Sequence, residues 1–268
     1  MANGLDLVGE TPLIQLERTV PGYAADLYMK CEMQNPTGHY DDRVALNMLE
    51  VAQESEAWTP KTPLTLFASA RFALSAACMC AIKGMTLTAY LDEEASEAEI
   101  EAIEAYGAEV VEKTAERRAD ARLEAASHAA KAGGLLLDPR QDPAHPAIHE
   151  FTTGPEVADQ MKAGIDAIVV PLHTGGLVAG ISLPLRKAYP NIKVYGVERE
   201  ATDLSYGAHS YDYAITMTEE AARDRQIRLA IDEGLKVDLD TAACVAGAIE
   251  VAKDLGPDRQ VVVLGTRA

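Results

Sequence analysis

The sequence predicts an α/β protein made of two three-layer α/β domains, each with a mainly parallel sheet. Three observations support this fold class. Short apolar runs alternate with helical patterns, glycine-rich or polar turns follow several of the apolar runs, and a segment with three prolines (137–150) separates two such series. Strands that alternate with helices are typical of βαβ units, in which helices cover the faces of a parallel sheet.

The first series runs from residue 26 to residue 138. Its apolar runs predict strands and the segments between them carry helical spacing of apolar residues. The predicted strands are DLYMKCEM (26–33), LTLFA (64–68), TLTAYL (86–91), AEVV (108–111) and GLLLD (134–138), and the predicted helices begin near Asp41, Phe72, Ser96 and Glu116.

The second series follows the proline-rich segment, where prolines interrupt regular structure. It predicts strands at 165–172, 192–198 and 260–265, with helices from about Leu177, at 218–233 and at 241–254. Between the two series, HEFTTGPEV (149–157) has the pattern of a helix start, with Thr153 or Gly154 as the cap and Pro155 in the first turn.

Composition excludes several classes of function. The net charge of −18 argues against a nucleic-acid partner, because phosphates would be repelled. We find neither a signal peptide nor an apolar run of about 18 residues, and therefore expect a cytoplasmic protein without a membrane segment. The four cysteines form no CxxC pair, which favours reduced buried thiols over disulfides or a zinc site.

Three loops at strand ends are the places where an open α/β fold binds ligands. They are NPTGHYDDR (35–43), ASARFALS (68–75) and HTGGLVAG (173–180). Each has an ordinary structural interpretation as well: a charge-matched helix start, a surface arginine and a tight strand-to-helix connection. A glycine-rich turn before a helix also presents N–H groups to anions, so both interpretations stay open at this point.

Taken together, ordered motifs over nearly the whole chain resemble the cysteine synthase and cystathionine β-synthase family of fold type II pyridoxal-phosphate enzymes. The matching segments are VGETPLIQL (8–16), KCEMQNPTGHYDDR (30–43), ASARF (68–72), HEFTTGPE (149–156), HTGGLVAG (173–180) and EGLKVDLDTAA (233–243). The resemblance implies two α/β domains with a cleft between them. We expect a smaller domain at 37–140 and a larger one formed by 1–36 plus 141–268.

The chain departs from the family pattern at positions that carry the chemistry. Asp41 stands where the resemblance implies the Schiff-base lysine, and a carboxylate cannot form an imine. Arg71 replaces an asparagine after Ala70, and His173 replaces the first glycine of the phosphate-binding turn. Of the residues that the resemblance assigns to the cofactor, Thr174, Gly175, Gly176 and Thr266 remain.

From these departures we predict a protein that has lost covalent pyridoxal-phosphate catalysis and binds no cofactor. The predicted activity is an elimination, cyclisation or hydrolysis on a small amino-acid-like or carboxylate substrate, with Asp41, His173 and His39 as acid–base residues. Substrate contacts are expected from Arg71, Ser69, Ala70, Thr174, Gly175 and Gly176.

The alternative is a non-catalytic pseudoenzyme that binds a partner protein in the cleft, as the resemblance to cysteine synthases implies. The family also implies a homodimer. A metal bound by His39, Asp41 and His173 is possible from ligand chemistry, but we predict no metal site.

Overall fold

The computed structural model describes residues 3–112, 117–199 and 204–267, and these form an α/β fold with two sheets. The strands are β1 (Leu13–Gln15), β2 (Asp26–Lys30), β3 (Leu64–Ala68), β4 (Leu87–Leu91), β5 (Glu109–Val111), β6 (Leu135–Leu137), β7 (Ala167–Pro171), β8 (Lys193–Glu198), β9 (Tyr213–Thr216) and β10 (Gln260–Leu264). The helices are α1 (Asp41–Glu54), α2 (Ala70–Lys83), α3 (Glu97–Glu104), α4 (Arg118–Ala132), α5 (Ala144–Ile148), α6 (Gly154–Gln160), α7 (Gly176–Ala188), α8 (Glu219–Asp232) and α9 (Leu239–Leu255).

The chain divides into two compact units. Unit 1 contains Asp41–His145 together with the N-terminal residues up to Val8, and unit 2 contains Gly9–Tyr40 and Pro146–Ala268. The sequence-based boundaries at 36/37 and 140/141 lie within a few residues of these, but they assign the N-terminal residues to the other unit. Within the described ranges, no helix is both long enough and apolar enough to cross a membrane.

Unit 1 has a four-stranded parallel sheet in the order β5-β4-β3-β6. All five residues of β3 are buried, as expected for the interior strand of a parallel sheet. Phe67 packs with Ala121 and Ala125 of α4 on one face. Helix α3 begins with a capping box between Ser96 and Glu99, which explains why the acidic sequence at 96–104 is helical.

Unit 2 has a six-stranded sheet in the order β1-β2-β10-β7-β8-β9, in which only the β1–β2 pairing is antiparallel. Side chains of β10 alternate between two cores: Val261 and Val263 pack in the core that contains α9 residues, and Val262 and Leu264 in the core that contains α7 residues. The sheet is therefore covered on both faces, and the carboxyl ends of β7, β8 and β10 lie along one edge.

Two local predictions were wrong. The proline-rich segment contains a helix, α5, which includes Pro146. Thr153 does not cap α6 either, because the backbone is already helical through a π-helical turn at His149–Thr153. The Thr153 hydroxyl instead lies 2.9 Å from His149 Nδ1, and both residues are buried, so tertiary packing continues the helix where local pattern indicated a start.

Strand β9 lies in a segment for which the sequence had predicted no element.

Candidate functional site

A glycine turn connects β7 to α7 at the carboxyl edge of the unit 2 sheet. Gly175 is the residue before α7 and has φ +82°, and a Cβ there would lie 2.0 Å from the Tyr206 carbonyl oxygen. Only glycine fits this conformation and this close contact. The N–H of Gly176 donates to Thr174 Oγ1 at 3.3 Å. A 13-residue helix thus begins at a turn whose N-cap supplies no side-chain acceptor, an arrangement that favours a bound anion.

His173, the residue before this turn, adopts φ +43°, a left-handed conformation that is uncommon outside glycine. Its Nε2 lies 3.4 Å from Asp240 Oδ2, in the first turn of α9. The other oxygen of Asp240 accepts a hydrogen bond from Arg199 Nε at 2.6 Å. The sequence had predicted His173 as a site residue but missed Asp240 and Arg199; Asp240 lies in the motif at 233–243, yet no role was assigned to it, and Arg199 lies in no recognised motif.

A second hydrogen-bonded group lies at the end of β10. Thr266 Oγ1 donates to Asp238 Oδ2 at 2.5 Å, and Thr241 Oγ1 lies 2.8 Å from the same Thr266 oxygen. Asp238 also caps α9 by accepting from the Thr241 N–H. The Thr266 hydroxyl hydrogen is therefore used by Asp238, and its oxygen remains an acceptor.

In unit 1, the predicted substrate loop lies at the end of β3, where Ser69 caps α2 by accepting from the Phe72 N–H at 3.3 Å. Ala70 is buried and Arg71 is partly buried. The Ala70 N–H donates to the carboxylate of Glu93, and burial and the charge of Asp92 raise the pKa of Glu93 against the opposing effect of this hydrogen bond. One N–H of the α2 terminus thus already has a carboxylate partner.

Asp41, Asp42 and Arg43 form the first turn of α1 and all three are buried. Carboxylates at a helix N-terminus are favoured by the helix dipole. His39 belongs to unit 2, where the centroid of its ring lies 4.0 Å from the centroid of the Tyr40 ring. The acid–base pairing of Asp41 with His173 stays a prediction.

Lys30 is fully buried and its amine is held by three partners. Nζ lies 2.6 Å from Glu156 Oε2, 3.0 Å from Gln160 Oε1 and 2.5 Å from the Thr11 carbonyl oxygen. This lysine is committed to joining β2, the N-terminal segment and α6. Among the residues in the three described ranges, no group of three His, Cys, Asp or Glu side chains is arranged to hold a metal ion.

Residues 5–211 match the family described as pyridoxal-phosphate dependent enzyme. The chain belongs to this family. It is 30% identical over 286 aligned positions to a cysteine synthase from Staphylococcus aureus, covering 98% of this chain and 92% of the relative. It is also similar to a probable cysteine synthase from Bacillus subtilis, with 30% identity over 290 positions and coverage of 98% and 93%.

Among solved structures, O-ureido-L-serine synthase matches with a TM-score of 0.93 and 25% identity, covering 100% of this chain and 92% of the other. A lysine-to-alanine variant of that synthase, with O-ureido-L-serine bound, matches with a TM-score of 0.89 and 26% identity, covering 100% and 90%. The fold type II architecture expected from the sequence is confirmed by these similarities.

The predicted loss of pyridoxal-phosphate chemistry was wrong. The family and the cysteine synthase relatives indicate a pyridoxal-phosphate cofactor, which overturns both the cofactor-independent enzyme and the non-catalytic pseudoenzyme. The prediction had equated departures at a few positions, Asp41, Arg71 and His173, with loss of the whole site. Cofactor contacts in such a fold are spread over several loops, and the glycine turn at 174–176 begins a 13-residue helix whose N-terminal dipole suits a phosphate.

Proposed function

We propose that this protein binds pyridoxal phosphate by noncovalent contacts and acts on a small amino acid that carries a substituent on its β-carbon. The proposed enzyme is a divergent relative of the cysteine synthases, in which Asp41 occupies the position of the Schiff-base lysine. The names of its relatives, cysteine synthase and O-ureido-L-serine synthase, support this class of amino acid. The observation that carries the proposal is the glycine turn at the start of α7.

In this proposal the cofactor phosphate is held at that turn. The Gly175 N–H donates to the Leu172 carbonyl oxygen and the Gly176 N–H to Thr174 Oγ1, so the phosphate is assigned to the N–H groups that follow them in the first turn of α7. The helix dipole adds a favourable interaction with a dianion. Thr266, whose oxygen is an acceptor because its hydrogen is donated to Asp238, is assigned to the ring nitrogen by the family resemblance.

The amino acid carboxylate is assigned to the N-terminus of α2. Ser69, Ala70 and Arg71 lie there, and a guanidinium suits bidentate binding of a carboxylate. Since the Ala70 N–H is donated to Glu93, the substrate carboxylate competes with that side chain for this donor. When bound, the cofactor supplies an electron-withdrawing ring that weakens bonds at the α-carbon of an amino acid.

Noncovalent binding is supported by the environment of Lys30, the buried lysine of unit 2. Its amine is committed to Glu156, Gln160 and Thr11 and is a poor source of a reactive amine.

The test is to compare the wild-type protein, Asp41→Ala and Asp41→Lys after incubation with pyridoxal phosphate. We expect equilibrium dialysis to detect binding by the wild type and by Asp41→Ala. Borohydride reduction followed by mass spectrometry of the denatured chains should detect an attached cofactor only on Asp41→Lys, because only that variant has an amine at position 41.

Two results would contradict the proposal. Absence of binding by the wild type would remove its basis, and a cofactor attached to the reduced wild-type chain would show that another lysine forms the covalent link. Peptide mapping of the reduced chain would identify that lysine.

We further propose that the protein forms a homodimer like that implied by the cysteine synthase resemblance. Large apolar side chains that unit 2 exposes include Phe151 and Leu183, at 74% and 62% of their surface. Light scattering coupled to gel filtration tests this. A mass near 28.7 kDa, that of one chain, would contradict it.

A further inference from the structure

A cluster of one acidic and two basic side chains lies beside the glycine turn of unit 2. His173 follows β7, Arg199 follows β8, and Asp240 lies in the first turn of α9, so three separate segments contribute one side chain each. Asp240 Oδ1 accepts from Arg199 Nε at 2.6 Å, and Asp240 Oδ2 lies 3.4 Å from His173 Nε2. We call these three residues the histidine cluster.

The backbone at His173 indicates that its side chain has a role. A non-glycine residue at φ +43° is strained, and glycine would remove the strain. Strained residues persist where surrounding contacts maintain them, and they concentrate at ligand-binding positions. Here the contact with Asp240 draws the imidazole towards α9, while the His173 backbone leads directly into Thr174 and Gly175.

The histidine cluster combines one acidic with two basic side chains. Arg199 and His173 both contact the single carboxylate of Asp240. The side chains of His173, Asp240 and Arg199 remain 45%, 32% and 29% exposed, so a ligand can reach them. Because Nε2 faces Asp240, Nδ1 is the ring nitrogen of His173 that we assign to a ligand.

We infer that His173, positioned by Asp240 and Arg199, binds the phosphate group of the ligand at the glycine turn. This inference rests on the proposed function and adds to it a specificity-determining residue. A protein that holds its cofactor without a covalent link depends on noncovalent contacts to retain it, and a charge-assisted hydrogen bond to phosphate is among the strongest of these. The ligand class is a phosphate monoester, and the phosphate-free form of the same ring lacks the group that His173 recognises.

The experiment compares wild type, His173→Gln and His173→Gly by titration with pyridoxal phosphate and with pyridoxal. His209→Gln is the matched control, because His209 is an exposed histidine of the same unit outside the cluster. We expect both His173 variants to weaken binding of pyridoxal phosphate on the order of 10- to 100-fold and to leave pyridoxal binding unchanged. His209→Gln should bind both ligands like the wild type.

The variant His173→Gly guards against a loss of binding that is caused by misfolding. Glycine relieves the strained φ at this position, so we expect the variant to fold. Unchanged or tighter binding of pyridoxal phosphate by this variant would overturn the inference, because the imidazole would then be neutral or an obstacle. Equal losses for pyridoxal phosphate and pyridoxal would overturn it as well, because the phosphate would not be the group recognised.

Inorganic phosphate separates this inference from the proposed function. If His173 binds phosphate, millimolar phosphate should raise the melting temperature of the wild type more than that of His173→Gln at constant ionic strength. That result together with no cofactor binding would refute only the proposed function. Cofactor binding with equal affinity in wild type and His173→Gln would refute only the role of His173.

Discussion

Replacing Lys30 by methionine should destabilise unit 2 strongly, because this lysine is a fully buried charge with three partners. At the 2.6 Å separation of Lys30 Nζ and Glu156 Oε2, the Coulomb attraction is about 6 kcal/mol for an effective dielectric constant of about 20. Desolvation of both charges offsets much of this attraction. The variant keeps a mostly buried Glu156 carboxylate but lacks the Lys30 cation. Removing one partner of a buried ion pair lowers the free energy of unfolding by about 3–5 kcal/mol.

The assay is urea denaturation of wild type, Lys30→Met and Lys30→Met/Glu156→Gln, followed by circular dichroism. Fluorescence of Trp58, the one tryptophan of the chain, reports on unit 1 and separates the two units if they unfold in different ranges of urea. We expect a large decrease in the unit 2 midpoint for Lys30→Met. The double variant should recover part of the loss, since it removes the carboxylate charge that Lys30 balances in the wild type.

The matched control is Lys253→Met, which breaks a Lys–Glu pair of similar length, 2.8 Å to Glu250, on the surface. Exposed pairs contribute little because water screens both charges. The reasoning would be refuted if Lys30→Met shifted the midpoint no more than Lys253→Met does.

Two further predictions follow from Glu93 and the buried thiols. Since the pKa of Glu93 is raised in the folded chain, its ionisation opposes folding, so Glu93→Gln should gain stability over wild type as pH rises above about 4.5. Burial raises the pKa of Cys31 to about 11 and that of Cys80 to about 12, so a thiolate-specific reagent at pH 8 should label these cysteines only after denaturation; rapid labelling of the native chain would contradict their burial.

Much of the fold could be predicted because its signals are local. The apolar run at 64–68 became β3 with the predicted bounds, and the glycine turn before Leu177 became the start of α7. The helix at Ala144–Ile148 and the continuous helical backbone at Thr153 could not be predicted, since proline and threonine at these places locally favour a break or a cap. Packing of buried residues such as His149 against α7 decides the backbone there.

The functional conclusion needed more than the departures in the sequence. Asp41 is visible in the sequence alone, and it led to the wrong prediction that the cofactor is absent. The glycine turn that fits a phosphate was equally visible, yet its weight became clear only with the geometry of Gly175 and the family relationship.

The sequence by itself determined the α/β class, the strand-end loops and the presence of a carboxylate at position 41, because periodicity and residue identity are local properties. Only the tertiary structure decided that His173 and Arg199 both meet Asp240, and that Thr266 donates to Asp238. The order β10-β7-β8 brings the ends of strands that are distant in sequence to one edge, where the start of α9 also lies. No spacing along the chain encodes such contacts, since they depend on which strands pair and on the left-handed backbone that orients His173.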